Sequence, residues 1–174
     1  PTLTFESMGV DYLVVDELHM YKNLRVISRI TEANREGSDM ALDLYAKIRY
    51  LRDSLGTERV ITGATATPVA NSVSEMYVMQ RYLGERTLDR AGITDFDTWA
   101  ATFGETVDGW EQTVSGGFKL THRFAKFQNV PELRQMFHEF ADVKSAEDLN
   151  LPRPDITPRR VDGARAPETL LVPS

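Results

Sequence analysis

The pattern of apolar and polar positions opens on a short unbroken run, Tyr12-Leu13-Val14-Val15, which stops at two carboxylates, Asp16 and Glu17, with His19 two residues on. Four consecutive apolar residues rich in β-branched and aromatic types predict a strand buried on both faces, as in the parallel sheet of an α/β domain. Gly9 and Asp11 mark the turn into it. Residues 20–36 are polar and irregular, with Arg25, Arg29 and Arg35 spread among Ile27 and Ile30, and read as a loop with a short helix. The period then changes. Ala41, Leu44, Tyr45, Ile48, Leu51 and Leu55 recur at three- and four-residue intervals behind an N-cap at Ser38, with Asp39 favourable at the positive end of the helix dipole and Gly56 as the stop. Lys47, Arg49 and Arg52 fall largely off that stripe and read as a solvated face.

A second buried-type strand is expected over residues 59–62, running into the small-residue cluster of residues 63–72. Beyond it a helix starts near Asn71 or Ser72, with Glu75 at capping-box spacing from Ser72, and carries Val73, Met76, Tyr77, Met79, Gln80 and Leu83 up to Gly84. Phe96, Trp99, Ala100 and Phe103 predict another helix, capped by Thr94 or Asp95 and ended by Gly104. Residues 105–118 read as a β-hairpin or an extended excursion, with turn candidates at Asp108-Gly109 and Gly116-Gly117. Pro131 suits the first turn of a helix reaching Phe140 through Leu133, Met136 and Phe137. Five of the eight prolines lie beyond Leu151, where apolar periodicity disappears, which is linker composition.

Composition narrows the picture. A chain of 174 residues with 41% apolar content can bury a core, and the pattern fits a single domain. A net charge of −6 argues against tight nucleic-acid binding by the whole surface and leaves room only for a local basic strip. Absent cysteine excludes disulfides and thiolate metal sites and fits a cytoplasmic protein. No run of 18 apolar residues is present, so no membrane span is expected. A chain that opens on Pro1 rather than Met is expected to be part of something longer.

Asp16 and Glu17 sit where α/β sheets bind ligands, beyond the carboxyl end of a strand. Adjacent carboxylates there point in different directions, so one can face a metal while the other faces an attacking water. The plainer reading is solvation of a strand end. His19 is within reach if the chain turns, and the hydroxyls of Thr65 and Thr67, after the next strand, are placed to bond to this group. Lys22 and Asn23 serve either function or a solvated turn. The strip Lys119 to Phe127 interleaves Lys119, His122, Arg123 and Lys126 with aromatics. Arg123 and Lys126 are its candidates for nucleic-acid contact, although an amphipathic element with Phe124 and Phe127 in the core is the favoured reading.

DELH followed by MYKN resembles the DEAH-box motif II of superfamily-two helicases in its Swi/Snf-type version, and TATPVAN resembles their motif III, Thr-Gly-Thr-Pro-x-x-Asn. SEMYVMQRYL is similar to the helix that follows. LPRP is similar to the segment leaving the first RecA-like lobe. FDTWAATFG and RFAKFQNVPEL look closest to phage- and plasmid-borne relatives often fused to DNA methyltransferase regions. The resemblance implies that Asp16 coordinates the Mg²⁺ of Mg-ATP through water and that Glu17 activates the attacking water. It implies that His19 links nucleotide state to motif III, where Thr65, Thr67 and Asn71 couple it to DNA. Leu18 replaces the usual alanine, and Ala66 the usual glycine. No GxxxxGK[ST] phosphate loop occurs in the sequence.

The expected fold class is therefore α/β: a partial RecA-like (P-loop NTPase) lobe with a mainly parallel sheet, whose two predicted strands need not be adjacent, plus a helical insertion. Residues 1–93 would form the C-terminal half of the ATP-binding lobe, 94–150 a helical and hairpin insertion, and 151–174 an inter-lobe linker. The expected function is part of an ATP-dependent DNA helicase or translocase motor. Its cofactors would be ATP and Mg²⁺, and its partners DNA, the P-loop half and the second lobe. The alternative is a RecA-like binding or regulatory module without turnover.

Overall fold

The computed structural model describes residues 3–30, 33, 36–69, 73–112, 116–145 and 147–149. The chain divides into a compact unit, Pro1–Ala141, and a second unit, Asp142–Ser174. In the second unit only a short turn is described, where Asp148 accepts hydrogen bonds from the backbone and hydroxyl of Ser145.

The first unit is mixed α/β. Strand β1 (Leu13–Val15) leads through a 3-10 turn (Leu18–Tyr21) and an irregular segment to helix α1 (Asp39–Leu55), and the chain returns as β2 (Ile61–Gly63). The two strands are adjacent and parallel, pairing Leu13 with Ile61, Val14 with Thr62 and Val15 with Gly63. Helices α2 (Val73–Leu83), α3 (Glu85–Arg90) and α4 (Phe96–Phe103) follow, then an antiparallel hairpin of β3 (Gly104–Gln112) and β4 (Phe118–Phe127), then α5 (Val130–His138).

Helix α1 forms as its sequence predicts. Ser38 accepts the N–H of Ala41, Gly56 closes the helix at φ 64°, and Ala41, Leu44, Ile48 and Leu51 are buried. Two predictions on it fail: Leu55, expected on the buried stripe, is exposed, and Arg52 is not solvated but only 6% exposed. Its guanidinium donates to the Glu85 carboxylate at 2.9 Å and to the Tyr82 carbonyl at 2.7 Å, and lies 3.1 Å from Glu58. Glu85 in turn accepts from Arg81 at 3.0 Å and from the Tyr45 hydroxyl at 2.5 Å. Burial, and then the adjacent Glu85 carboxylate, push the Tyr45 hydroxyl above its ordinary pKa, so it stays protonated and donates. This network joins α1, α2 and α3, and its physical basis is that a buried charge persists only when its hydrogen bonds are met.

Three further expectations change. The strand predicted to be buried on both faces is covered on one: Leu13 and Val15 pack on the core, whereas Val14 is 78% exposed beside an exposed Thr62. Among the described residues the sheet has only these two strands, with helices on one side to supply a core face. The polar segment of residues 20–36 is pinned by Leu24, Val26, Ile30 and Ala33, all buried. Asp108-Gly109 lies within β3 rather than at a turn, since Asp108 pairs with His122 and Gly109 with Thr121. Gly116-Gly117 falls in the connection between the two strands.

Helix α4 is capped by Asp95, which accepts the Thr98 N–H at 2.8 Å. It buries Phe96, Trp99 and Phe103, and the Trp99 indole donates to Gln80 at 2.6 Å. The hairpin starts without a side chain at Gly104 because a Cβ there would overlap the Phe124 ring. The capping residue Ser72 and the tail beyond Leu149, with the LPRP segment, lie outside the described residues. No helix among the described residues is long and apolar enough to cross a membrane.

Candidate functional site

The carboxyl ends of β1 and β2 carry the side chains that the sequence singles out. Parallel pairing puts the residues after Val15 beside those after Gly63, and two backbone bonds extend the contact: Ala64 N–H to the Val15 carbonyl at 2.8 Å and Leu18 N–H to the Ala64 carbonyl at 2.9 Å. Gly63 and Leu18 interlock, because a Cβ at position 63 would collide with the Leu18 side chain, which is fully buried.

Between the strand and the 3-10 turn the chain reverses at Glu17, which adopts φ 52° and ψ 47°. This left-handed conformation is strained for a residue with a Cβ. Its N–H donates to Asp16 Oδ1 at 2.9 Å. Asp16 is exposed, and among the described residues no protein partner binds its other oxygen. The turn carries His19 back over the strand ends. His19 Nδ1 lies 3.1 Å from Glu17 Oε2 and 3.1 Å from Thr65 Oγ1. A carboxylate at Nδ1 can only accept, so the arrangement favours the ring form with its proton on that nitrogen. Thr65 Oγ1 also accepts the Thr67 N–H at 3.1 Å.

Glu17, His19 and Thr65 thus form one connected group, with Asp16 joined through the Glu17 amide. Thr67 enters through its backbone rather than its hydroxyl. Asn71 lies outside the described residues. Lys22, left open between function and turn, holds the group to α2: its ammonium is 3.1 Å from Glu75, whose side chain is 1% exposed. Sequence spacing placed Glu75 in a capping box, and the tertiary fold turns its carboxylate to Lys22.

The basic strip stands apart from this corner, in β4. Lys126 pairs with Glu105 across the hairpin at 2.8 Å, and that hydrogen bond raises its pKa. Arg123 is placed in register with Val107, and its side chain lies outside the description. Phe124 is half-buried against the core, while Phe127 is exposed. The exposed aromatics of the hairpin are Trp110 and Phe118, which the sequence does not single out.

Among the described residues no three His, Asp or Glu side chains converge to make a metal cage. Mg²⁺ needs no such cage, since it is commonly held by one or two carboxylates together with water and substrate phosphates. An exposed Asp16 with one uncommitted oxygen fits that role. The other half of such a site, a backbone loop to hold phosphates, has no counterpart in the sequence.

Residues 1–145 match a family model described as a probable helicase domain. The chain is also 30% identical over 151 residues to "Defense against restriction protein B" of Escherichia phage P1. That match covers 83% of the chain and 7% of the phage protein, so the chain spans a small fraction of its relative's length. No solved structure matches it.

Proposed function

The chain belongs to the probable helicase domain family, and from that premise we propose that it forms the water- and metal-handling half of an ATP site in a superfamily-two, Swi/Snf-type motor that moves on DNA. The observation that carries this reading is the shared contact of His19 Nδ1 with Glu17 and Thr65, which ties the DELH motif to the TATP motif across two parallel strand ends.

Asp16 would hold Mg²⁺ through water, and Glu17 would orient and deprotonate the water that attacks the γ-phosphate. When bound, Mg²⁺ neutralises phosphate charge along the reaction. His19 competes with that water for the Glu17 carboxylate, so its alternative bond to Thr65 provides a route by which phosphate loss is felt in the second motif. Thr67 and Asn71 continue that route toward DNA. The RecA-like lobe is completed by a phosphate loop and a second lobe elsewhere in the longer protein, and a phage or plasmid helicase-methyltransferase context fits the relative's size.

Two measurements test the reading. The 174 residues alone should not hydrolyse ATP detectably, with or without DNA. The longer protein should show DNA-stimulated hydrolysis that falls at least about 100-fold in Glu17→Gln, a loss typical of removing a general base. Hydrolysis unchanged by Glu17→Gln would instead favour a RecA-like module that does not turn over nucleotide at this corner.

A further inference from the structure

A second charged feature lies at the other end of the sheet. Tyr12 and Ile61 sit at the amino ends of β1 and β2, about 10 Å from the Asp16–Thr65 corner for strands of three residues. Together with Arg59, Arg86 and Arg90 they help line an open cleft of about 580 Å³, which also takes in Gly84, the link between α2 and α3. Phe140 is another lining residue, and its ring sits so near Gly84 that a Cβ there would collide with it.

The charges in this cleft are unevenly matched. Glu139 is taken up by Arg90 at 3.2 Å and by the Thr87 hydroxyl at 2.8 Å. Glu58 is taken up by the buried Arg52 at 3.1 Å. Arg59 and Arg86 are exposed, and among the described residues neither guanidinium has an ion-pair partner. Two uncompensated guanidinium forks therefore face one cavity on a chain of net charge −6. Guanidinium forks match the paired oxygens of a phosphate group, and the cavity falls within the size range of small-molecule sites. The half-exposed Tyr12 ring beside them offers a face on which a base can stack.

We propose that this cleft binds a phosphate-bearing ligand, held by Arg59 and Arg86, at a site separate from the Asp16–Glu17 corner. The phosphate comes either from a nucleotide or from the backbone of a nucleic-acid strand. No residue is shared with the ATP corner, so the proposal stands or falls independently of ATP turnover.

The test is calorimetric titration of the 174-residue chain with inorganic pyrophosphate at low salt, with EDTA present to suppress metal-dependent binding. Arg59→Gln with Arg86→Gln, which keeps the side-chain stems, should weaken binding at least about tenfold with the circular dichroism spectrum unchanged. Lys at both positions should restore only part of the affinity lost in the double Gln variant, because the charges remain but the bidentate forks do not. Competition separates the sources: ATP displacing pyrophosphate at lower concentration than a dT oligonucleotide identifies a nucleotide, and the reverse order identifies a strand. Absence of pyrophosphate binding, or equal affinity in the native chain and the double Gln variant, overturns the proposal.

Discussion

Two places in the chain show how backbone strain and close packing set what each residue costs. Glu17 holds a left-handed backbone that favours glycine, and the fold keeps it there with its amide on Asp16 and its carboxylate on His19. Relief of that strain is partly offset by the extra freedom glycine gains when unfolded. Glu17→Gly is therefore expected to raise stability by about 0.5–1 kcal/mol in chemical denaturation of the 174-residue chain. A loss of stability would show that the side-chain bonds outweigh the strain. Gly63 and Leu18 are the second case. Gly63→Ala should cost about 1–3 kcal/mol through overpacking, and Leu18→Ala should cost about 2–5 kcal/mol through the cavity it leaves. The double variant should be at least about 1 kcal/mol less destabilised than the sum, because the new methyl fills the space vacated.

At the scale of elements, stability concentrates where helices meet. Arg52→Ala leaves Glu85 buried with one fewer cation and should cost about 3–5 kcal/mol. Arg52→Met with Glu85→Gln, which removes both charges and keeps volume, should cost clearly less. Equal losses would mean that packing, not charge, holds the α1–α3 junction. Helix α4 gives a pH-dependent case. The Thr98 amide holds the Asp95 carboxyl below its usual pKa, so the folded chain binds the ionised form more strongly than the unfolded chain does. The stability this supplies is present above the ordinary Asp value near 3.9 and is lost as pH falls through the lowered folded value. Asp95→Ala should thus cost about 0.5–1 kcal/mol at pH 7, with the gap closing below about pH 4 in paired thermal melts. The helix periodicity and caps of α1 and α4 were legible in the sequence because both depend on residues a few positions apart. Helix α3, only six residues long, gave no periodic signal, and Arg52 looked solvated because its partners Tyr82 and Glu85 lie some 30 residues on.

For the first unit as a whole, the exposed sheet face is where association with other chains is expected to start. A sheet with two parallel strands among the described residues is small for independent stability, and its strand edges, unpaired among those residues, together with a bare Val14 invite pairing with other chains. Val14→Lys is expected to lower concentration-dependent association in analytical ultracentrifugation, with less than about 0.5 kcal/mol change in stability for so exposed a position. Association unchanged by that substitution would locate the sticky surface elsewhere, with the exposed Trp110 and Phe118 of the hairpin as the next surface to test.

By itself the sequence singled out the candidate residues of the site, because carboxylates at the end of an apolar run and hydroxyls after the next one are patterns of nearest neighbours along the chain. It also determined helices α1 and α4, whose stripes and caps are short-range. Only the tertiary structure decided that the two strands are adjacent, that the sheet is covered on one face, and that Lys22 and Glu75 close on each other. The corner that began as YLVVDELHMYKN owes its geometry to the same step. His19 reaches Thr65, 46 residues away, only because parallel pairing sets the two strand ends side by side and the 3-10 turn folds back over them. Contacts of that range depend on how elements pack, and no periodicity within an element encodes them.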